Sequence, residues 1–127
     1  MLKAYRSLHD IECAFSDEDD CYWYLGTILW PQGVRSVFTG TNKVTKVNDR
    51  TYLCKETGKR FKVTNGTIFA NSKVSLPQWF KIIWLHEVEP GLSSVEVAKR
   101  LGMNQKTVWR VLQKLDEVKD LEHLQAI

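Results

Sequence analysis

Gly91-Leu92-Ser93-Ser94-Val95-Glu96-Val97-Ala98-Lys99-Arg100-Leu101-Gly102-Met103-Asn104-Gln105-Lys106-Thr107-Val108-Trp109-Arg110-Val111-Leu112 reads as two short helices joined by a sharp turn. Ser93 is placed to cap the first helix while Glu96, three residues on, reaches back to it. That helix is expected to run to about Leu101, with Val95, Ala98 and Leu101 on one face and Ala98 small enough for a second helix to approach. Gly102 permits the turn, and Asn104 is the expected cap of the second helix. Val108, Val111, Leu112 and Leu115 form its apolar stripe. Gln105, Lys106, Thr107 and Arg110 are left pointing outward near its start.

This is the pattern of a helix-turn-helix, in which the first turns of the second helix reach base edges in the major groove. Gln105 suits adenine, Arg110 guanine or a phosphate, Thr107 a thymine methyl or a phosphate, and Lys106 backbone charge. Between Val97 and Leu115 lie Lys99, Arg100, Lys106, Arg110 and Lys114, with no acid among them. The expected partner is therefore double-stranded DNA.

Charge is divided along the 127 residues. Residues 1–30 hold two basic and six acidic side chains, residues 31–75 nine and two, and residues 76–127 seven of each. The middle is thus +7 although the whole chain is only +3, and such a concentration is an electrostatic footprint for phosphate. No stretch approaches a membrane span, and the first residues lack the apolar run of a signal peptide. Three unpatterned cysteines, Cys13, Cys21 and Cys54, fit reduced thiols. A cytoplasmic, nucleoid-associated protein without membrane contact is expected.

Upstream of the quoted stretch the pattern changes twice. The run Asp17-Glu18-Asp19-Asp20 before Cys21-Tyr22-Trp23-Tyr24-Leu25 predicts a helix over 17–27, its acids complementing the helix dipole. Residues 34–38, 43–47, 51–55, 60–63 and 67–69 are short β-rich pieces separated by Thr39-Gly40, Asn48-Asp49, Thr57-Gly58 and Asn65-Gly66, which predicts a small antiparallel meander. Its cations Lys43, Lys46, Arg50, Lys59, Arg60 and Lys62 are candidates for phosphate contacts. Ser75-Leu76-Pro77 then opens a helix expected to reach about Glu87, with Leu76, Trp79, Phe80, Ile83 and Trp84 as its core stripe. The predicted architecture is α+β: an N-terminal helix and β meander over 1–74, and a trihelical helix-turn-helix unit over 75–127. The candidate DNA-binding residues are Asn104, Gln105, Lys106, Thr107, Arg110, Lys114, Lys99 and Arg100 with the six meander cations.

Trp30-Pro31-Gln32-Gly33, Tyr52-Leu53-Cys54, Gly66-Thr67-Ile68-Phe69 and Ser72-Lys73-Val74-Ser75-Leu76-Pro77-Gln78-Trp79-Phe80, followed by the two-helix stretch, together resemble the N-terminal region of bacterial insertion-sequence transposases that carry a zinc ribbon before a helix-turn-helix. The resemblance covers about residues 15–115. It implies recognition of transposon ends, with a separate catalytic domain following in those proteins. The positions of that family's zinc knuckles fall here on Ser36 and Thr39, then on Cys54 and Thr57. One thiolate does not close a tetrahedral zinc site, and Cys13, Cys21, His9 and His86 lack knuckle spacing, so a ribbon-like fold without metal or other cofactor is expected. Such a ribbon needs another source of stability, and Trp23 and Tyr24 of the N-terminal helix are the expected contact. The chain ends where the family's catalytic domain would begin, and no phosphate-binding glycine loop or other enzyme signature is present. The expected function is a non-catalytic, sequence-specific DNA binder serving transcription, a phage or a mobile element. The alternative is a protein-interaction module, an inhibitor or adaptor that binds a host protein. Val118, Leu121, Leu124 and Ile127 form a spaced apolar edge that suits either a homodimer interface or the chain's own core.

Overall fold

A computed structural model describes residues 2–117. The tail residues Val118, Leu121, Leu124 and Ile127 lie outside them. Five helices and one small sheet make the fold α+β: α1 (Leu8–Ala14), α2 (Glu18–Leu29), β1 (Val44–Lys46), β2 (Tyr52–Cys54), β3 (Arg60–Phe61), α3 (Leu76–Val88), α4 (Ser94–Leu101) and α5 (Gln105–Asp116).

α3 is the central element, because α1, α2, α4 and α5 all pack against it. Its N-terminus is prepared by Ser75, whose side chain accepts from the Gln78 amide, and by Pro77 in the first turn, where a missing N–H does no harm. Leu76, Trp79, Phe80, Ile82, Ile83 and Leu85 are all buried. The one-sided stripe read from sequence omits Ile82 and Leu85, because a helix covered on two sides has no solvent face at those positions. Trp84, expected in the core, is half-buried and donates its Nε1–H to the Tyr5 carbonyl at 2.8 Å.

Helix α1 is absent from the sequence-based expectation. Ser7 caps it by accepting from Asp10 N–H, and Ile11 and Phe15 carry it into the core. The Phe15 ring meets Tyr5, Tyr24 and Phe80 edge-on, at centroid distances of 5.5, 5.1 and 4.8 Å. The next helix, α2, starts as expected at the acids, with Asp17 as N-cap. It passes through Gly26 and stops at Leu29, just before Trp30, which precedes Pro31 and is thereby steered away from helical geometry.

The sheet has the order β1-β2-β3, both pairs antiparallel, with Thr45 opposite Leu53 and Tyr52 opposite Phe61. Two of the five expected strands are turns. Around Val34–Phe38, Ser36 Oγ accepts from the Phe38 and Thr39 amides at 3.1 and 3.4 Å. At Thr67–Phe69, Thr67 Oγ1 donates to the Thr64 carbonyl and accepts from Phe69 N–H. In both places a short hydroxyl side chain captures backbone groups that a strand would have used.

The contact holding the sheet to α2 also differs from expectation. Trp23 is 72% exposed, and Tyr24 turns toward Phe15 and Phe80. Trp30 takes that place, meeting Tyr52 and Phe61 edge-on at 5.6 and 6.0 Å, while Arg50 of the β1–β2 turn lies over the Tyr22 ring at 5.0 Å. One cluster of buried side chains then runs from Leu2 through Phe15, Leu25 and Phe69 to α3, and on to Val97 and Leu115.

Candidate nucleic-acid interface

The α4–α5 corner is made by local chemistry. Ser93 and Glu96 cap each other's backbone amides in a full capping box. α4 buries Val97 and Ala98, whereas Val95, expected inward, is 55% exposed. The inward face is set by where α3 and α5 lie, and that places positions 97, 98 and 101 toward them. Gly102 adopts the left-handed conformation, φ 65° and ψ 33°, and the Met103 amide bonds back to the Ala98 carbonyl at 3.0 Å. A Cβ at Gly102 would touch nothing within 4 Å, so glycine is required by backbone geometry and not by space.

Asn104 caps α5 by accepting from the Lys106 and Thr107 amides at 2.9 and 3.3 Å. Its carbonyl oxygen is therefore engaged in positioning the helix. Val108, Val111 and Leu115 are buried and Leu112 is half-buried, as the periodicity predicts. Gln105 donates to Ser94 Oγ at 2.9 Å, which ties the start of α5 to the start of α4. The exposed face presents Gln105, Lys106, Trp109, Arg110 and Gln113, with Thr107 half-buried at its edge. Trp109, 50% exposed, shares this face and is a candidate that sequence analysis passes over. Its spacing of three from Lys106 and four from Gln105 was the available signal.

The structure separates the remaining cations that the sequence treats alike. Arg100 is paired with Glu89, while Lys99 is exposed on α4. Arg50 donates Nε–H to Asp19 Oδ1 at 2.6 Å, a bond that raises its affinity for the proton further. With Lys46 it borders a cleft of about 570 Å³ floored by Tyr22, Trp23, Trp30 and Tyr52. Lys59 sits over the Phe38 ring at 5.7 Å, and Lys43 is exposed beside β1. Arg60 and Lys62 border a different cleft, about 580 Å³, shared with Lys73. Lys114 and Arg110 border a third, about 680 Å³, between α5 and the segment leading into α3.

Away from α5, two turns are built alike. Ser36 N–H donates to Thr41 O and Gly40 N–H to Ser36 O, both at 2.9 Å; Cys54 N–H donates to Lys59 O at 2.9 Å and Gly58 N–H to Cys54 O at 2.8 Å. Gly40 and Gly58 both have positive φ, 74° and 70°. The turns meet at Cys54, which is wholly buried. Hydrogen bonds from the Ser36 and Thr57 hydroxyls pull its thiol down to about 7. The buried Cys21 is pushed up to about 12 by desolvation and by Glu18, Asp20 and Asp17. Cys13 Sγ lies 3.5 Å from His9 Nε2, one helical turn away. Among the described residues no three His, Cys, Asp or Glu side chains converge to hold a metal ion, and no helix is long and apolar enough to cross a membrane.

A family model described as a winged helix-turn-helix DNA-binding domain matches residues 80–117, which span most of α3 and all of α4 and α5. The chain thus carries a helix-turn-helix DNA-binding region in its C-terminal part. No curated protein and no solved structure matches the chain.

Proposed function

We propose that the protein is a sequence-specific binder of double-stranded DNA, non-catalytic and nucleoid-associated, acting as a transcriptional regulator or as an accessory factor of a phage or mobile element. One observation carries this reading. α5 is capped at Asn104, held to α4 by the Gln105–Ser94 bond, and turns Lys106, Trp109 and Arg110 to solvent with no acid in its first two turns. A rigid helix with its polar N-terminal half exposed is what insertion into the major groove requires. The ribbon-like pair of turns at Ser36 and Cys54 supports kinship with the recognition region of insertion-sequence transposases, with hydroxyl hydrogen bonds standing where that family binds zinc.

The test is selection from random duplex DNA at near-physiological salt, followed by binding of Arg110→Ala to the enriched site. An enriched motif, lost affinity of about 1–3 kcal/mol and relaxed choice at one base support the reading. Equal weakening on every sequence counts against it. The adaptor reading has its own support in the exposed Trp23 beside the aromatic cleft. It takes first place if no duplex is retained.

A further inference from the structure

The cations of the β meander and those of α5 are far apart in sequence, yet the clefts they border adjoin. Arg60 and Lys62 border the first cleft, Arg110 and Lys114 the second, and residues 71–74 line both. Lys73 belongs to that shared segment. Asn71 allows the chain to turn there by adopting positive φ, 57°. Ser72 Oγ then accepts from Trp79 Nε1–H at 2.9 Å and from the Val74 amide at 3.1 Å, which fastens the segment to α3. Among the described residues the one acid bordering these clefts is Glu18, whose carboxylate accepts the Leu76 amide at 2.9 Å. Five cations thus line the path against that single carboxylate, which is tied to the start of α3 in the first cleft, away from the one that α5 borders.

We propose that this path seats consecutive phosphates of one DNA strand, running from Lys114 of α5 across Lys73 to Arg60 and Lys62, with Arg110 at its α5 end turned to the bases and Lys73 as the link between groove reading and the sheet. It rests on the DNA-binding reading and adds to it a contact segment, 71–74, and a choice among the meander cations. Lys46, Arg50 and Lys59 stand outside the path: Arg50 is bonded to Asp19, Lys46 borders the aromatic cleft together with Asp19 and Asp49, and Lys59 lies on Phe38. A chain of phosphates is the ligand that fits, because cations spaced along an open trough neutralise an extended polyanion.

The experiment measures affinity against salt for the full chain, on its selected site and on an unrelated duplex. Lys73→Ala is expected to weaken both duplexes alike and to reduce the slope of log affinity against log salt by about one, and Arg60→Ala with Lys62→Ala by about two. Lys73→Arg should restore the wild-type slope, and Lys59→Ala should leave it unchanged. A wild-type slope in Lys73→Ala overturns the path. If Arg110→Ala still loses the motif in that case, the helix-turn-helix reading survives alone. If the wild-type protein binds no duplex, both readings fall. Thermal melts of each variant accompany the titrations, and a Lys73→Ala loss that Lys73→Arg does not rescue also counts against the path.

Discussion

Glu18 Oε1 accepts the backbone N–H of Leu76 at 2.9 Å, across 58 residues of sequence. The first residue of α2 thereby satisfies one of the open amides at the start of α3, at the place where the N-terminal half of the chain meets the DNA-binding half. A carboxylate at a helix N-terminus gains from both the hydrogen bond and the dipole. Glu18→Ala should lower unfolding free energy by about 1–3 kcal/mol in urea, and Glu18→Gln by less, since the amide oxygen still accepts. Equal stability of Glu18→Ala and wild type would show that water replaces the carboxylate without loss.

Phe15 joins α1 to α3 through its edge-on contact with Phe80. Phe15→Ala removes a buried ring and should destabilise by about 3–5 kcal/mol. Removal of residues 1–28 should lower the melting temperature further, because it also strips Ile11, Cys21 and Leu25 from the core. An unchanged melting temperature after that deletion would mean that α3, α4 and α5 are stable without α1 and α2.

The two-helix corner was legible in the sequence because its determinants are local. Ser93, Glu96, Gly102 and Asn104 each act on amides within five residues, so their spacing carries the geometry. Helix α1 carries the same kind of signal in Ser7 and Asp10, but seven residues hold too little periodicity to stand out. The strands expected at 34–38 and 67–69 failed because Ser36 and Thr67, read as β-formers or neutral, use their hydroxyls to close turns. The inward face of α4 and the sorting of the meander cations were not legible. They depend on which helices and loops lie opposite, and one sequence without partners in space does not hold that information. Lys73 is the clearest case, an ordinary surface lysine until α5 and β3 are placed on either side of it.

Gly102→Ala should destabilise the protein by about 1–2 kcal/mol, the cost of a Cβ in left-handed geometry, without any steric clash to relax. Because the turn sets the angle between α4 and α5, affinity for the selected DNA should fall more than affinity for unrelated duplex. A variant that melts lower yet keeps full sequence preference would separate the turn's stability from its role in aiming α5.

Cys54 ties stability to pH. The Ser36 and Thr57 hydroxyls favour its thiolate, so the folded thiol titrates at about 7, while an unfolded thiol titrates near 8.5. The folded state therefore releases its proton first as pH rises. Stability from this group should grow between about pH 7 and 8.5, hold above that window, and be lost as pH falls through 7. Melting temperatures of wild type and Cys54→Ala should diverge across the window, and parallel curves would argue against thiolate formation. In the native protein Cys13 is the exposed thiol and should react first with a thiol reagent, with Cys21 and Cys54 following only on unfolding.

The matching hydrogen bonds at Ser36 and Cys54 extend to a stronger prediction. Each turn sends one amide back to a carbonyl four residues earlier and one forward to a carbonyl five residues later, and each closes on a glycine with positive φ. Four side chains at positions 36, 39, 54 and 57 are thus presented by two equivalent frames, and at three of them a hydroxyl stands where the proposed kinship with transposase ribbons calls for a thiolate. Ser36→Cys, Thr39→Cys and Thr57→Cys combined should create a four-thiolate site, the preferred set for structural zinc. Cobalt added to the triple variant should give the absorption of tetrahedral thiolate coordination, and zinc should displace it and raise the melting temperature, while wild type responds to neither ion. Cobalt spectra of lower coordination would show that the frames are alike in hydrogen bonding but no longer converge on one point.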